Sequence, residues 1–286
     1  MRKSIFDIAK ERLDMNGDTD RLVTMARWED TLCLDDDTYF NLFQFIDIFC
    51  FKNWAHRSRF INVNDFLGAL RFDNLVREAR YDIESHLTLI ELVYNFWNLA
   101  NNLLVDEDSE MDLHGCGNFY HIKEVMDDIL EGCNYIARSN NDNDCIIVIE
   151  NKPEVTAVAE IMPSPELSFD TIRYNHRALK GDIKAKKAIL IALGADLEAK
   201  RKELQAINNK LSDDVFFMLN NINIRHNNCS KQDSAKYKKY VADMAPEQLE
   251  EWYDELYQMM LLGFLLLDNK ERSIKIGELK DNINRG

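Results

Sequence analysis

Residues that could carry out chemistry are concentrated in one stretch, residues 219–228, with the sequence LNNINIRHNN. It directly follows the apolar run VFFM and places Arg225 beside His226. A histidine can take up or release a proton near pH 7, and an arginine can hold phosphate oxygens. The asparagines Asn223, Asn227 and Asn228 could bind and orient a nucleotide. The stretch therefore fits a site that handles a phosphodiester.

Helical geometry predicts where Arg225 and His226 point relative to the apolar side of the predicted helix. If a helix over 213–226 continues at 100° per residue, His226 lies about 20° from Val215 on the apolar stripe, and Arg225 lies about 80° to one side. An ionisable pair so placed faces the packed side or a partner and needs matching hydrogen bonds. The alternative is a helix end, with Asn227 or Asn228 in the left-handed conformation and Arg225 on the last carbonyls.

A second polar group of residues lies in RYNHRALKGD, residues 173–182. Tyr174 and Asn175 could bind substrate, and His176 could supply a second catalytic histidine if the two stretches meet in a compact bundle. Gly181 interrupts the helical pattern shortly afterwards, so a capped helix end would explain the same residues.

The segment IRHNN, in a helical domain with basic flanks, resembles the HEPN superfamily of bacterial helical-bundle proteins. Many members are ribonuclease toxins or effectors of abortive infection and anti-phage defence. Their hallmark is an arginine, a polar residue behind it, and a histidine a few residues later. Arg225 matches the arginine and His226 the polar residue, whereas residues 230–232 are Ser, Lys and Gln. The wider stretch 174–257 also resembles uncharacterised bacterial proteins associated with abortive infection.

The resemblance implies a specific function and mechanism. HEPN domains commonly form homodimers and cleave RNA without metal, so the chain would pair through its C-terminal helices and need no cofactor. Arg225 would steady the phosphate, and His226 or His176 would move the proton. The N-terminal half would act as a sensor, a regulator or a partner-binding domain of an antiviral defence protein. Two alternatives remain: a non-enzymatic helical interaction or scaffold module, and a nucleotide sensor that uses the same polar cluster.

Other combinations of residues give weaker signals. Arg80 and His86 diverge by about 120° on an uninterrupted helix and would not meet on one phosphate. The spacing of the histidines and cysteines in 114–133 fits no compact zinc pattern. The carboxylates at 247–255 are explained by a helix start. The sequence contains no nucleotide-binding glycine motif and no hydrolase motif.

Charge divides the chain into two parts. Residues 1–150 hold 14 Lys+Arg against 29 Asp+Glu, which accounts for the whole net charge of −15. The rest is balanced and contains local basic clusters such as KYKK at 236–239, so an approach to RNA would involve this part. The longest apolar run, 259–267, is too short for a membrane span, and the six scattered cysteines favour reduced thiols. A cytoplasmic protein is expected.

Periodicity and scarce proline predict an all-α protein, a helical bundle in two parts. We expect an acidic helical N-terminal domain over 1–140 and a HEPN-like helical C-terminal domain over 145–286. SNNDND at 139–144 would form the linker, and a small hairpin of 145–149 with 155–161 is expected at the junction. A helix beginning at Pro153 is the alternative for the second segment. Helices are predicted over 4–15, 18–28, 36–53, 72–104, 119–138, 169–179, 184–209, 213–226 and 246–269.

Overall fold

The computed structural model describes residues 14–35, 37–106, 113–140, 145–232 and 235–285. The prediction of a mainly α-helical protein is confirmed, because two small antiparallel sheets are the only strands in these ranges. The chain forms two compact units, Met1–Asn151 and Lys152–Gly286. No helix in the described ranges is both long enough and apolar enough to cross a bilayer.

The first unit is built around one helix, α5 (Ile83–Leu104), whose apolar residues are buried along most of its length. Its neighbours bury their apolar faces against it, so one core serves the whole unit. A group of edge-to-face aromatic rings, among them Phe43, Trp54 and Phe96, fills one end of that core. The other elements are α1 (Met15–Arg27), β1 (Leu32–Leu34), β2 (Thr38–Phe40), α2 (Leu42–Phe45), α3 (Val63–Ala69), α4 (Phe72–Ala79), β3 (Leu113–Gly115), α6 (Gly117–Gly132), β4 (Tyr135–Ser139) and β5 (Ile146–Glu150).

The two sheets are small and antiparallel. β1 lies between β2 and β3, while β4 and β5 form a hairpin. Side chains of α5 hydrogen-bond the free edge of β5: the Asn95 amide bonds the N–H and the C=O of Ile146, both at 2.8 Å, and the Glu91 carboxylate accepts from the N–H of Val148 at 2.7 Å. Polar helix residues thus satisfy backbone groups that a third strand would otherwise pair.

Several predicted elements of the first unit are wrong in their bounds. The helix expected over 119–138 ends at Gly132 because Asn134 takes a left-handed φ of 61°, and the chain then enters β4. The predicted helix over 72–104 is interrupted at 80–82, where Asp82 caps a new helix by accepting from the N–H of Ser85. The helix expected over 36–53 begins only at Leu42 and continues as π and 3₁₀ turns. The helix expected over 4–15 falls mostly outside the described residues.

The expected hairpin is also corrected. β5 pairs with β4 and not with residues 155–161. The alternative is confirmed, because Pro153 begins a helix at a position where its missing N–H costs nothing. β5 lies in the first unit, whereas the predicted domain limits placed it in the C-terminal domain.

The second unit contains helices joined by loops, and no strand, in its described residues. Its longest element is α13 (Pro246–Arg285), a helix of 40 residues that buries Tyr253, Tyr257, Met260 and Phe264 against its neighbours. The close approach of α9 and α11 is permitted by Gly194, where an added Cβ would lie 2.9 Å from Leu219. The remaining helices are α7 (Pro153–Glu160), α8 (Pro165–Arg173), α9 (Ile183–Ala199), α10 (Arg201–Ile207), α11 (Asn209–Asn221) and α12 (Lys239–Ala242).

All four predicted helices of the second unit differ from the structure in their bounds. The helix expected over 169–179 is α8, which ends at Arg173 and is followed by a 3₁₀ turn at Arg177–Leu179. The helix expected over 246–269 is α13, which continues to Arg285. The helix expected over 184–209 is divided into α9 and α10 at Lys200. The helix expected over 213–226 ends at Asn221, with Ile222 as its C-cap. The helical angles predicted for Arg225 and His226 therefore do not apply.

Candidate functional site

The stretch 219–228 is the end of α11 followed by an irregular loop. Asn223 adopts a left-handed φ of 63°, which turns the chain away from the helix axis. The Asn228 side chain is fully buried, accepts from the N–H of Asn223 at 2.8 Å and donates to the C=O of Lys236 at 2.8 Å. The C=O of Asn228 also accepts from the N–H of Lys238 at 2.8 Å. Asn228 therefore joins both ends of the loop, a structural role for a predicted substrate-binding residue.

Arg225 points back onto α9. One guanidinium nitrogen donates to the Glu198 carboxylate, and the other donates to the C=O of Gly194 at 2.8 Å. The guanidinium also lies 5.6 Å from the centre of the Phe216 ring. The hydrogen bond from Arg225 outweighs burial and lowers the pKa of Glu198. The charge of Arg225 is thus matched within the protein.

His226 and Asn227 lie next to Arg225 in sequence but outside the helix. His226 is partly buried, and its C=O accepts from the N–H of Asn228 at 3.0 Å. Asn227 is exposed, and its C=O accepts from the N–H of Ser230. The described contacts hold the backbone of this pair, and nothing in them orients the two side chains toward Arg225.

The second polar stretch forms a network between α9 and α13. Tyr174 stacks on Tyr257 at 4.0 Å between ring centres and donates to the Asp254 carboxylate at 2.9 Å. Asn175 donates to the Tyr257 hydroxyl at 3.0 Å. Nδ1 of His176 accepts from the N–H of Ala178 at 3.3 Å, so this histidine caps a 3₁₀ turn.

Lys186 lies at the centre of this network. Its side chain is 8% exposed, and its ammonium forms ion pairs with Glu250 and Asp254, both at 2.7 Å. Burial tends to raise the pKa of Glu250, but hydrogen bonds from Lys186 and from the N–H of Gly181 lower it overall. Burial and the neighbouring Asp254 raise the pKa of Tyr174, so its hydroxyl stays protonated and serves as a donor. The charge of Lys186 is thus matched by two carboxylates, and the network ties helices together.

The two polar stretches contact different parts of α9. Arg225 bonds residues 194 and 198, whereas the Tyr174 network centres on Lys186. At 1.5 Å per residue these contacts are about 12–18 Å apart along the helix. The described contacts therefore bring Tyr174 together with Asn175 in one group, and Asn223 together with Asn228 in another. They do not connect the two groups.

Arg80 and His86, discounted from the sequence, are also separate. Arg80 follows the end of α4 and donates to the Asp20 carboxylate at 2.6 Å. His86 is fully buried, and its Nδ1 lies 3.1 Å from the Thr19 hydroxyl, which donates to the C=O of Ala79. Since that hydroxyl uses its own proton, it accepts from Nδ1–H of His86. Nε2 of His86 is buried without a partner, and burial lowers the pKa of the imidazole.

Beside the loop lies a groove that the sequence pattern did not indicate. We call it the aromatic groove; it has a volume of about 390 Å³. Three of its aromatic side chains are strongly exposed: Phe217 (64%), Tyr240 (76%) and Trp252 (45%). The position of Phe217, off the apolar stripe of α11, indicated that this side chain is exposed. Its place in the apolar run VFFM suggested instead that it belongs to the core. The groove is lined chiefly by Phe217, Met218, Ile222, Tyr240, Met244 and Trp252.

No family model, curated protein or solved structure matches this chain. The resemblance of the C-terminal half to HEPN proteins therefore stays a prediction. The candidate features of the second unit are the Arg225 anchor, the Lys186 network, the aromatic groove and the outer face of α13.

Proposed function

We propose that this chain is a non-enzymatic helical interaction protein that pairs with a second copy of itself through α13. The observation that carries the proposal is an exposed line of residues on this helix, which we call the α13 seam. Its members follow one another at alternating steps of three and four residues, the spacing that coiled-coil helices use to pack. The seam consists of Leu262, Leu265, Asn269, Arg272, Ile276, Leu279 and Ile283.

The seam is open to a partner. Every residue from 271 to 285 is exposed, and this part of α13 is about 22 Å long at 1.5 Å per residue. Ile276 is 51% exposed, Leu279 57% and Ile283 68%. The seam also continues onto the packed half of the helix, where Leu262 is 48% exposed. An apolar line of this length on a charged helix end is typical of an interaction surface.

The two polar members of the seam favour an antiparallel arrangement. In a parallel pair, Arg272 would face its own copy in the core, and Lys275 would lie beside Lys280 of the partner helix. An antiparallel pair centred between residues 270 and 271 instead places Leu262 against Leu279 and Leu265 against Ile276. It also places Arg272 against Asn269, whose side-chain oxygen can accept from the guanidinium.

The size of the surface sets the expected strength. The antiparallel overlap covers residues 256–285 and is about 45 Å long. A helix about 10 Å wide then contributes about 450 Å² per copy, or about 900 Å² in total, near the lower limit for a specific interface. We expect a dimer that dissociates on dilution.

The contacts of the predicted catalytic residues support a non-enzymatic function. Arg225 is bound by Glu198 and by a backbone carbonyl, and His176 caps a turn. The contacts of Arg225 would have to break before its guanidinium could bind an RNA phosphate, at a cost of about 1–3 kcal/mol for a charged hydrogen bond. RNA cleavage in anti-phage defence remains the alternative that the sequence resemblance implies.

Sedimentation equilibrium tests the pairing. Wild-type protein is expected to rise from 33.5 kDa toward twice that mass with increasing concentration. Leu279→Glu should keep it monomeric because a carboxylate cannot be buried in an apolar layer. Ile274→Glu is the matched control: Ile274 is 57% exposed on the same helix but about 160° from Ile276. The proposal would be contradicted if wild-type protein stayed monomeric at 100 times the concentration of the most dilute sample. Equal loss of pairing in Leu279→Glu and Ile274→Glu would also contradict it.

Asn269→Glu tests the orientation. The new carboxylate would meet Arg272 of the other copy in an antiparallel pair and strengthen it, but would meet its own copy in a parallel pair and weaken it. RNA cleavage is tested separately by incubating total RNA with wild-type protein and with the double variant Arg225→Lys/His226→Ala. Cleavage by the wild type that the folded double variant lacks would refute the non-enzymatic function.

A further inference from the structure

The aromatic groove has features of a binding surface that the α13 seam does not explain. Its floor is formed by Met218, Ile222, Val241 and Met244, all flexible or branched aliphatic side chains. Methionine adapts to irregular apolar partners, and exposed aromatic rings are frequent anchors at interfaces. A volume of about 390 Å³ lies within the range of formed binding pockets.

One rim of the groove is basic. Lys236, Lys238 and Lys239 are all exposed, and none of them has an acidic partner among the described residues. Lys238 itself lines the groove. The loop that carries these lysines is held by Asn228 through the C=O of Lys236 and the N–H of Lys238. The positive charge is therefore held at a fixed place beside an apolar floor.

We propose that the aromatic groove binds an amphipathic helix of a partner protein that bears apolar residues on one face and carboxylates along one flank. The apolar face would enter the floor, as in other helix-in-groove complexes. The carboxylates would meet the three lysines, which supply charge complementarity and faster association. The partner would thus be an acidic protein segment and not a small metabolite.

Single-stranded RNA is disfavoured by two carboxylates that neighbour Trp252 on α13. Aromatic rings and lysines also form platforms for single strands, but such a strand carries a phosphate at every nucleotide. Trp252 is flanked on α13 by Glu251 and Glu255, which are exposed. A phosphate chain crossing the groove would meet these carboxylates, whereas a helix can turn its acidic flank toward the lysines alone.

The groove remains available in the proposed dimer. The antiparallel overlap of α13 begins at residue 256, and Trp252 lies before it. Binding at the groove and pairing through the seam therefore use different residues and can fail independently.

A random 16-residue peptide library displayed on phage, selected on full-length protein, tests the proposal. We expect retained peptides to carry apolar residues at helical spacing and a net negative charge. Binding of a retained peptide should weaken at least about tenfold in Phe217→Ser/Tyr240→Ser, since this variant truncates two aromatic anchor residues at once. Both side chains are largely exposed, so their loss spares the core. Tyr81→Ser, at 77% exposure in the first unit, is the matched control and should bind normally.

Charge and salt provide the second readout. Lys236→Glu/Lys238→Glu/Lys239→Glu should weaken the same peptide at least about tenfold, and raising NaCl should reduce the difference between this variant and wild type. Selection of no peptide, of net basic peptides, or of peptides that bind the groove variant equally well would overturn the proposal. Groove-dependent binding of a 12-nucleotide oligouridylate without peptide binding would also overturn it, in favour of RNA.

Discussion

Asn228→Ala distinguishes a structural from a substrate-binding role for the asparagines of the loop. The substitution leaves the N–H of Asn223 and the C=O of Lys236 without their side-chain partner. Asn223 is partly buried, so its unpaired N–H should cost about 1–2 kcal/mol, whereas Lys236 is exposed and its carbonyl can bond water for less than about 1 kcal/mol. We expect the free energy of unfolding to fall by about 1–3 kcal/mol.

Urea unfolding, followed by Trp252 fluorescence in a variant whose other tryptophans are replaced by phenylalanine, would measure this loss. Asn227→Ala is the matched control, because Asn227 is the exposed neighbour and should change stability by less than about 0.5 kcal/mol. Amide hydrogen exchange should be faster at residue 223 in Asn228→Ala alone. Equal unfolding free energies for the two variants would refute the bracing role of Asn228.

Three further perturbations test other contacts. Arg225→Ala should lower the free energy of unfolding, measured in urea, by about 2–3 kcal/mol, since a charged hydrogen bond is lost. Arg225 lowers the pKa of Glu198 in the folded protein. The stabilisation from this ion pair should therefore be present at pH 7 and be lost as the pH falls below about 4.3, the unfolded pKa, and through the lower pKa of the folded state. Asn95→Ala should cost about 2–4 kcal/mol and speed exchange at Ile146, because both backbone groups lose their partner. Burial lowers the pKa of His86, so wild-type stability should decrease as pH falls below about 6.5 toward the folded value, and His86→Leu should remove that slope in urea titrations at pH 5–7.

Local signals in the sequence were sufficient for much of the helical content. Pro153 and Pro246 mark helix starts because proline fits the first helical position without loss of a hydrogen bond. The break at 80–82 was missed, since the apolar period continues across it and only the Asp82 cap reveals a new start. β4 was missed because Ile136 and its neighbours extend the period of α6, and the strand is held by its pairing with β5, whose other edge is bonded by α5.

The polar stretches show why composition alone did not define a site. An asparagine amide carries a donor and an acceptor, as a peptide group does, so it can replace a missing backbone partner or bind a ligand equally well. Asn228 and Asn95 both serve the first purpose here. What separates the two roles is burial and the identity of the partner, and neither can be obtained from spacing.

The α13 seam, by contrast, is visible in the sequence once the helix is known to reach Arg285. A helix ending at residue 269 contains Leu262 and Leu265 but excludes Ile276, Leu279 and Ile283, so the heptad spacing cannot be recognised. Exposed apolar residues at that spacing are costly in water unless a partner covers them, whereas the arginine that first suggested a site is already bound by Glu198 and by the C=O of Gly194. The surfaces that remain open, and not the polar residues that are already paired, are therefore where this chain should meet other molecules.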